Sequence, residues 1–301
     1  MADPHFVAVD WGTTSFRLWV MDEDANILAT TSGPYGMSRL KPNEYDHALE
    51  DSLRKLNVAR DIPVIISGMA GAAQGWCEAP YLSAPTQLDD LGAGAVKVAG
   101  ASRDVRILPG VKQSSPANVM RGEETQIAGL LREQPDFDGI ACLPGTHTKW
   151  VRINNRAINA FETCMTGEQF AFFSATSVLS HSMADGGWDE NAFETAVRLA
   201  INDPLSVPRR LFAIRAEMLV AQQSSAQARA TLSGLLIGQE LMSVPHYWQG
   251  QHVTLIGAAA LCDPYFKALG LAGGAASIVD VTAMTLAGIA AVHQQGLHAN
   301  A

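Results

Sequence analysis

Hydrophobic and polar positions follow two different periods along the chain. Residues 6–9 form a short apolar run, Asp10-Trp11-Gly12-Thr13-Thr14 is turn chemistry, and residues 16–20 have strand propensity. A second turn at 22–26 precedes residues 27–30, so the opening reads as three strands joined by two tight turns. The period then lengthens. Tyr45, Ala48, Leu49, Leu53 and Leu56 share one face of a helix that Asn43 can cap. Residues 63–66 read as a buried strand running into the glycine-rich loop Ser67-Gly68-Met69-Ala70-Gly71. Residues 105–108 form another strand, stopped by Pro109-Gly110. Helical spacing returns from Arg121 to Arg132 through Ile127, Leu130 and Leu131.

Residues 139–143 are strand-like, and residues 144–161 repeat the pattern of the N-terminal strands. The turn Pro144-Gly145-Thr146-His147 leads to a strand at 148–153, a turn at Asn154-Asn155 and a strand at 157–161. Gly12-Thr13 ahead of Trp19-Val20 is matched by Gly145-Thr146 ahead of Trp150-Val151. The offset is close to half the chain and indicates duplication of a three-stranded unit. Helical stretches come next, near 192–201, 209–222 and 226–242. A strand at 253–256 enters the helix start Gly257-Ala258-Ala259, and a strand at 277–279 precedes a last helix. The expected hinge is Pro135-Asp136-Phe137-Asp138, which divides the chain into residues 1–138 and 139–301.

Residues 269–292 are almost wholly apolar and long enough to span a bilayer. Asp280 near their middle and the glycines that interrupt them favour a buried strand and helix instead, so no membrane partner is expected. With 48% hydrophobic residues in 301, a sizeable core can form. The formal charge of −9 argues against a grip on nucleic acid or anionic lipid. The four cysteines have no metal or redox spacing, and the N-terminus lacks a basic signal region. A cytoplasmic protein with reduced thiols is the expectation, and a homodimer is left open.

A hairpin tip with glycine and hydroxyls can hold phosphate, because glycine lets the backbone approach and Thr adds donors. Asp10, at the end of the first strand, can hold Mg²⁺ through water. Asp-x-Gly and Pro-Gly-Thr are also ordinary turns; the duplication favours a pair of phosphate clamps. Other nucleotide and nucleophile signatures are missing: there is no Gly-Lys-Ser/Thr, no complete dinucleotide fingerprint and no Gly-x-Ser-x-Gly.

Val7-Ala8-Val9-Asp10-Trp11-Gly12-Thr13-Thr14 resembles the first phosphate motif of the sugar kinase/Hsp70/actin superfamily. Leu143-Pro144-Gly145-Thr146-His147-Thr148-Lys149-Trp150 and Leu255-Ile256-Gly257-Ala258-Ala259 resemble its second phosphate motif and its adenosine motif. Five further segments resemble the 2-dehydro-3-deoxygalactonokinase family: Ser67-Gly68-Met69, Ala79-Pro80-Tyr81-Leu82-Ser83, Met120-Arg121-Gly122-Glu123-Glu124-Thr125-Gln126, Met165-Thr166-Gly167-Glu168 and Ser233-Gly234-Leu235-Leu236-Ile237-Gly238. The resemblance implies an α/β, two-domain actin-like ATPase (ribonuclease H-like) fold, with duplicated mixed sheets flanked by helices and a central cleft. Residues 1–138 would bind sugar and the first phosphate site, and 139–301 the nucleotide, with the last helix packing back on the first domain.

The implied activity is ATP-dependent phosphorylation of the 6-hydroxyl of 2-dehydro-3-deoxy-D-galactonate. Related kinases place Gly-Asp at a helix start about twenty residues before the second phosphate hairpin. Gly122-Glu123 stands at that distance, so Glu123 is the expected base, with Glu124 as its alternative. Acids at a helix start also serve the macrodipole alone. Gly12, Thr13, Thr14, Gly145, Thr146 and His147 would cradle phosphates, and Gly257 and Ala258 would border adenosine. The substrate carboxylate calls for a cation, and Arg17, Arg39, Arg121 and Lys149 are candidates that equally fit surface charges. Met69, Trp76 and Tyr81 are candidates to line the sugar pocket, although aromatics beside Pro and Gly as often pack in cores or loops. A kinase for another sugar, or a non-kinase ATPase of this fold, are the alternatives.

Overall fold

The computed structural model describes residues 2–183 and 187–295. They form two compact units. One comprises the chain up to Asp138, residues 153–160 and the chain from Val281; the other comprises Gly139–Arg152 and Phe161–Asp280. The division thus interleaves the chain, where a single cut after residue 138 was expected.

In the first unit, β1 (Phe6–Trp11), β2 (Phe16–Met21) and β3 (Ile27–Gly33) form an antiparallel meander. Helix α1 (Tyr45–Lys55) lays Tyr45, Leu49 and Leu53 on the core beside Val7, Val9 and Trp11. Then come β4 (Val64–Gly68), β5 (Tyr81–Ser83), β6 (Thr86–Gln87), β7 (Val96–Lys97) and β8 (Val105–Ile107), and the main sheet runs β3-β2-β1-β4-β8-β7. This main sheet has six strands. A small second sheet joins β5 to the hairpin of β9 (Gly110–Ser114) and β10 (Ala117–Met120). Pro109-Gly110, which reads as a stop, instead separates β8 from β9. This hairpin delivers the chain to Arg121, Gly122 and helix α2 (Glu123–Glu133).

The second unit holds β11 (Gly139–Leu143), most of β12 (Thr148–Asn154) and the second half of β13 (Ala157–Cys164), followed by helices α3 (Thr166–Ala175), α4 (Glu190–Asn202), α5 (Val207–Ala221) and α6 (Ser225–Ser243). A one-turn α7 (Pro245–Trp248), β14 (His252–Gly257), α8 (Ala259–Ala272) and β15 (Ala275–Asp280) complete it. The strand order β13-β12-β11-β14-β15 matches β3-β2-β1-β4-β8. The parallel pairs match too: β1 with β4 and β4 with β8, β11 with β14 and β14 with β15. The duplication seen in two hairpins therefore extends over five strands. Residues 157 and 158 of β13 pair with β6 within the first unit.

The last helix, α9 (Val281–Gln294), packs on α2 in the first unit. Their axes come close because Gly288 has no side chain; a Cβ there would lie 2.0 Å from the Thr125 carbonyl oxygen. Residues 269–292 thus resolve into the end of α8, β15 and most of α9, and no helix among the described residues is long and apolar enough to cross a membrane.

Candidate active site

Asp10 is the penultimate residue of β1 and faces Arg17 across the hairpin. Arg17 Nη2 donates to Asp10 Oδ2 at 2.5 Å, and its Nη1 lies 3.4 Å from Thr282 Oγ1. Arg17 is thereby committed to Asp10 at the hairpin. At the tip, the carbonyls of Gly12 and Thr13 accept from the amides of Met37 (3.0 Å) and Ser38 (2.9 Å). The turn Met37–Arg39 thus buttresses the hairpin from behind, and Arg39 itself is exposed. With those carbonyls occupied, the tip leaves the side chains of Thr13 and Thr14 exposed.

The end of β4 meets this hairpin. Gly68 adopts φ +103°, and a Cβ there would lie 2.7 Å from Trp11 O and 3.4 Å from Asp10 Oδ1. Gly122, at φ +109°, approaches from the other side, its notional Cβ 3.6 Å from Gly68 Cα. Asp10, the Gly68 turn and the start of α2 therefore converge at one end of the main sheet. Met69 is half-buried in this turn. Trp76 is also half-buried, stacked on Tyr45 at 5.8 Å and edge-on to Trp11 at 6.0 Å, so core aromatics fix its ring.

Arg121 is 9% exposed, held over the Tyr81 ring at 4.3 Å with Nη2 donating to Ala79 O at 2.8 Å. Its Nε and Nη1 are buried without a hydrogen-bond partner, an expense that a bound anion would offset. The two glutamates separate. Glu123, half-buried on the first turn of α2, accepts from the Arg121 amide at 3.0 Å. Glu124 is fully buried; both its oxygens lie 2.8 Å from the Gly122 amide, and Thr125 Oγ1 donates to it at 3.2 Å. Burial, reinforced by the neighbouring Glu123 charge, pushes the Glu124 carboxyl up to about 7. Ser67 Oγ in turn donates to Thr125 Oγ1 at 2.7 Å, tying β4 to α2.

In the second unit a cavity of about 510 Å³ opens beside the turn between β11 and β12. Gly145 and Thr146 line it, joined by Thr166 and Gly167 from α3 and by Ser233, Leu236 and Ile237 from one face of α6. A Cβ on Gly167 would fall 2.1 Å from Gly145 O, so α3 begins directly on the hairpin backbone. His147 Nε2 lies 2.6 Å from Glu168 Oε2, which orients the imidazole. Gly257 is buried against Cys262, and Ala258 is the N-cap of α8. Neither lines the cavity; Ala260, Leu261 and Tyr265, further along α8, do. Lys149 is buried on β12, on the strand face opposite Thr148 and Trp150.

Sequence reasoning missed Phe170, Trp188, Arg229 and Tyr265 in this lining. Arg229 lies 5.0 Å from the Phe170 ring, and Trp188 Nε1 donates to Glu190 Oε2 at 3.1 Å. It missed Glu240 as well, a buried carboxylate behind the cavity that accepts from Trp150, Thr166 and Tyr265. Burial raises its pKa from the ordinary value.

A model of the 2-keto-3-deoxy-galactonokinase family matches residues 10–292. The chain belongs to that family. It is 36% identical over 293 residues to "Probable 2-dehydro-3-deoxygalactonokinase DgoK1" of Rhizobium meliloti (strain 1021), covering 95% of this chain and 96% of the relative. Identity to the 2-dehydro-3-deoxygalactonokinase of Escherichia coli (strain K12) is 32% over 271 residues, 88% of this chain and 90% of the relative. A crystal structure of a Sinorhizobium meliloti protein ascribed to the same kinase superposes with a TM-score of 0.90, at 36% identity over 96% of this chain and 98% of that one. The architecture is that of the actin-like ATPases and sugar kinases, as the motifs implied.

Proposed function

We propose that this kinase transfers the terminal phosphoryl group of ATP to the 6-hydroxyl of 2-dehydro-3-deoxy-D-galactonate, acting in the cytoplasm. Glu123 carries the reading. It is a half-buried carboxylate at a helix start, beside the Gly68 turn that Asp10 borders and next to an arginine with two unpartnered nitrogens.

Phosphoryl transfer needs positioning, charge neutralisation and an acceptor for the hydroxyl proton. Glu123 orients the 6-hydroxyl and takes its proton as the new P–O bond forms and the bond to ADP breaks. Its carboxylate sits at the positive end of α2, so it acts more by orientation than by basicity. Arg121 Nε and Nη1 receive the substrate carboxylate, and Met69 and Trp76 bound the sugar. The cavity bordered by Gly145 and Thr146 takes the nucleotide, and Gly12, Thr13 and Thr14 take phosphate oxygens.

The described residues include no cluster of three His, Cys, Asp or Glu suited to a metal ion. Asp10, the carboxylate at the hairpin, would hold Mg²⁺ through water. Bound there, Mg²⁺ neutralises charge developing on the phosphates.

A coupled ADP-release assay with a panel of ketodeoxy sugar acids tests the reading. Stimulation by 2-dehydro-3-deoxy-D-galactonate is expected. Stimulation by another sugar alone replaces the substrate, and ATP hydrolysis indifferent to any sugar removes the kinase assignment.

A further inference from the structure

Three of the family-like segments, separated in sequence, meet at a single buried carboxylate. Trp150 closes the Pro-Gly-Thr-His-Thr-Lys-Trp segment, Thr166 belongs to Met-Thr-Gly-Glu, and Glu240 follows Ser-Gly-Leu-Leu-Ile-Gly two residues on. Trp150 Nε1 donates to Glu240 Oε1 at 2.7 Å. Tyr265 Oη donates to Oε2 at 2.8 Å, and Thr166 Oγ1 donates to the same oxygen. Thr148 Oγ1 lies 2.8 Å from Tyr265 Oη, and since the phenol proton is already given to Glu240, Thr148 is the donor there. Glu240 is only 4% exposed, so it is an acceptor hub with donors from β12, α3 and α8.

Two of those elements, α3 and α8, border the cavity. Thr166 and Tyr265 line it, and Trp150 lies on the strand that leaves the phosphate hairpin. Thr166 is the first residue of α3, whose next two residues rest on the hairpin: Gly167 packs against Gly145 O, and the Glu168 amide donates to Thr146 O at 2.9 Å. Glu240 does not line the cavity. It holds Thr166, and through Thr166 it sets where the first turn of α3 sits against Gly145 and Thr146.

We infer that Glu240 is a positioning residue for nucleotide binding, locking the start of α3 onto the phosphate hairpin. The inference rests on the cavity being the nucleotide site. A carboxylate suits the task because it is acceptor-only and takes all the donors with one orientation; an amide at the same place brings hydrogens against hydroxyls that must then reverse.

The test uses the full-length enzyme and ADP binding by calorimetry without sugar acid, alongside steady-state kinetics. Glu240→Gln is expected to weaken ADP binding and raise KM for ATP about tenfold or more, leaving KM for the sugar acid within twofold. Hydrogen exchange over residues 166–169 is expected to speed up in the same variant. Combined with Thr166→Val, the double variant is expected to bind ADP no worse than the weaker single variant, because both remove one arrangement. A lowered melting temperature with unchanged ADP affinity overturns the inference, as do additive losses in the double variant. If Glu240→Gln does not fold, Trp150→Phe decides: it removes one donor from outside the cavity, and native ADP affinity in the folded variant overturns the inference. Wild-type enzyme that binds ADP but does not turn over the sugar acid counts against the proposed substrate and not against Glu240.

Discussion

Both carboxylate oxygens of Glu124 lie 2.8 Å from the amide of Gly122, the residue that turns the chain into α2. That contact holds the turn and leaves Glu124 facing inward, while Glu123 one position earlier stays half-exposed. The neighbouring acids thus take different tasks. Glu123→Gln is expected to lower kcat by about 10²–10⁴, the usual worth of a positioned acid–base group, with ADP affinity little changed. Glu124→Gln, which keeps one acceptor oxygen for the Gly122 amide, is expected to retain most of the turnover. Single-turnover measurements on the two variants check the division, and a reversed order of severity moves the base to Glu124.

The burial of Glu124 also makes stability depend on pH. Its folded pKa, about 7, is above the ordinary carboxylate value of 4.5, so between those values the folded state holds a proton that the unfolded chain releases. Stability therefore falls as pH rises through that window, and the penalty is complete above about pH 7. Its ceiling is roughly 3 kcal/mol, from the size of the shift. Urea unfolding at pH 5 and pH 8 checks this: Glu124→Gln is expected to gain stability relative to wild type on going from the first to the second. An equal difference at both values removes the claim.

The meander, α1 and α2 were legible because their apolar positions keep one period. Gly12 and Gly145 were legible as a pair because turn chemistry and the following Trp-Val both repeat. The β9–β10 hairpin was not, since Pro109-Gly110 marks a chain break to a local reading and its partner β5 lies far back in sequence. Helix α3 was missed for another reason. Of its ten residues only Thr166 is buried, so no apolar stripe marks it, and Phe, Thr, Ser and Gly are indifferent helix formers. The cavity lining followed α3 out of view. Glu240 looks like any acid on a helix until three donors from distant segments are placed around it.

Arg121 offers a direct probe of substrate recognition. Arg121→Met removes the two nitrogens that lack partners but keeps an apolar stem against Tyr81. A charge-assisted hydrogen bond is worth roughly 1.5–3 kcal/mol, so KM for the sugar acid is expected to rise by about 10–100-fold. KM for ATP should stay within twofold. Equal rises in both constants would instead point to a disturbed turn at Gly122.

The contact of α9 with α2 tests how far the packing behind the site matters. A Cβ on Gly288 would meet the backbone oxygen of Thr125, whose side chain joins Ser67 to Glu124. Backbone cannot yield as a flexible side chain does, so Gly288→Ala is expected to cost about 1–3 kcal/mol. Because those contacts run through Glu124 to the amide of Gly122, the turn that carries Glu123, kcat should fall with it. Denaturant unfolding and kcat measured together check both parts, and a variant as stable as wild type shows that the helices part at no cost.

Trp188 offers a probe of whether the cavity takes the nucleotide. It is 42% exposed on the cavity rim, whereas Trp11 and Trp150 are fully buried and Trp19 and Trp248 nearly so. Glu190 holds its indole nitrogen, and Lys267 holds Glu190 at 2.8 Å, so the ring presents a fixed face. A base stacked on an aromatic ring contributes about 1–3 kcal/mol. ADP is therefore expected to change tryptophan emission in the wild type and not in Trp188→Phe. Trp188→Leu should bind ADP about tenfold more weakly, equivalent to about 1.4 kcal/mol. Inorganic tripolyphosphate, which has no base, serves as the control and should bind both proteins alike. If the emission change survives in Trp188→Phe, the nucleobase lies elsewhere in the cavity; if tripolyphosphate weakens together with ADP, Trp188 supports the cavity wall and does not touch the base.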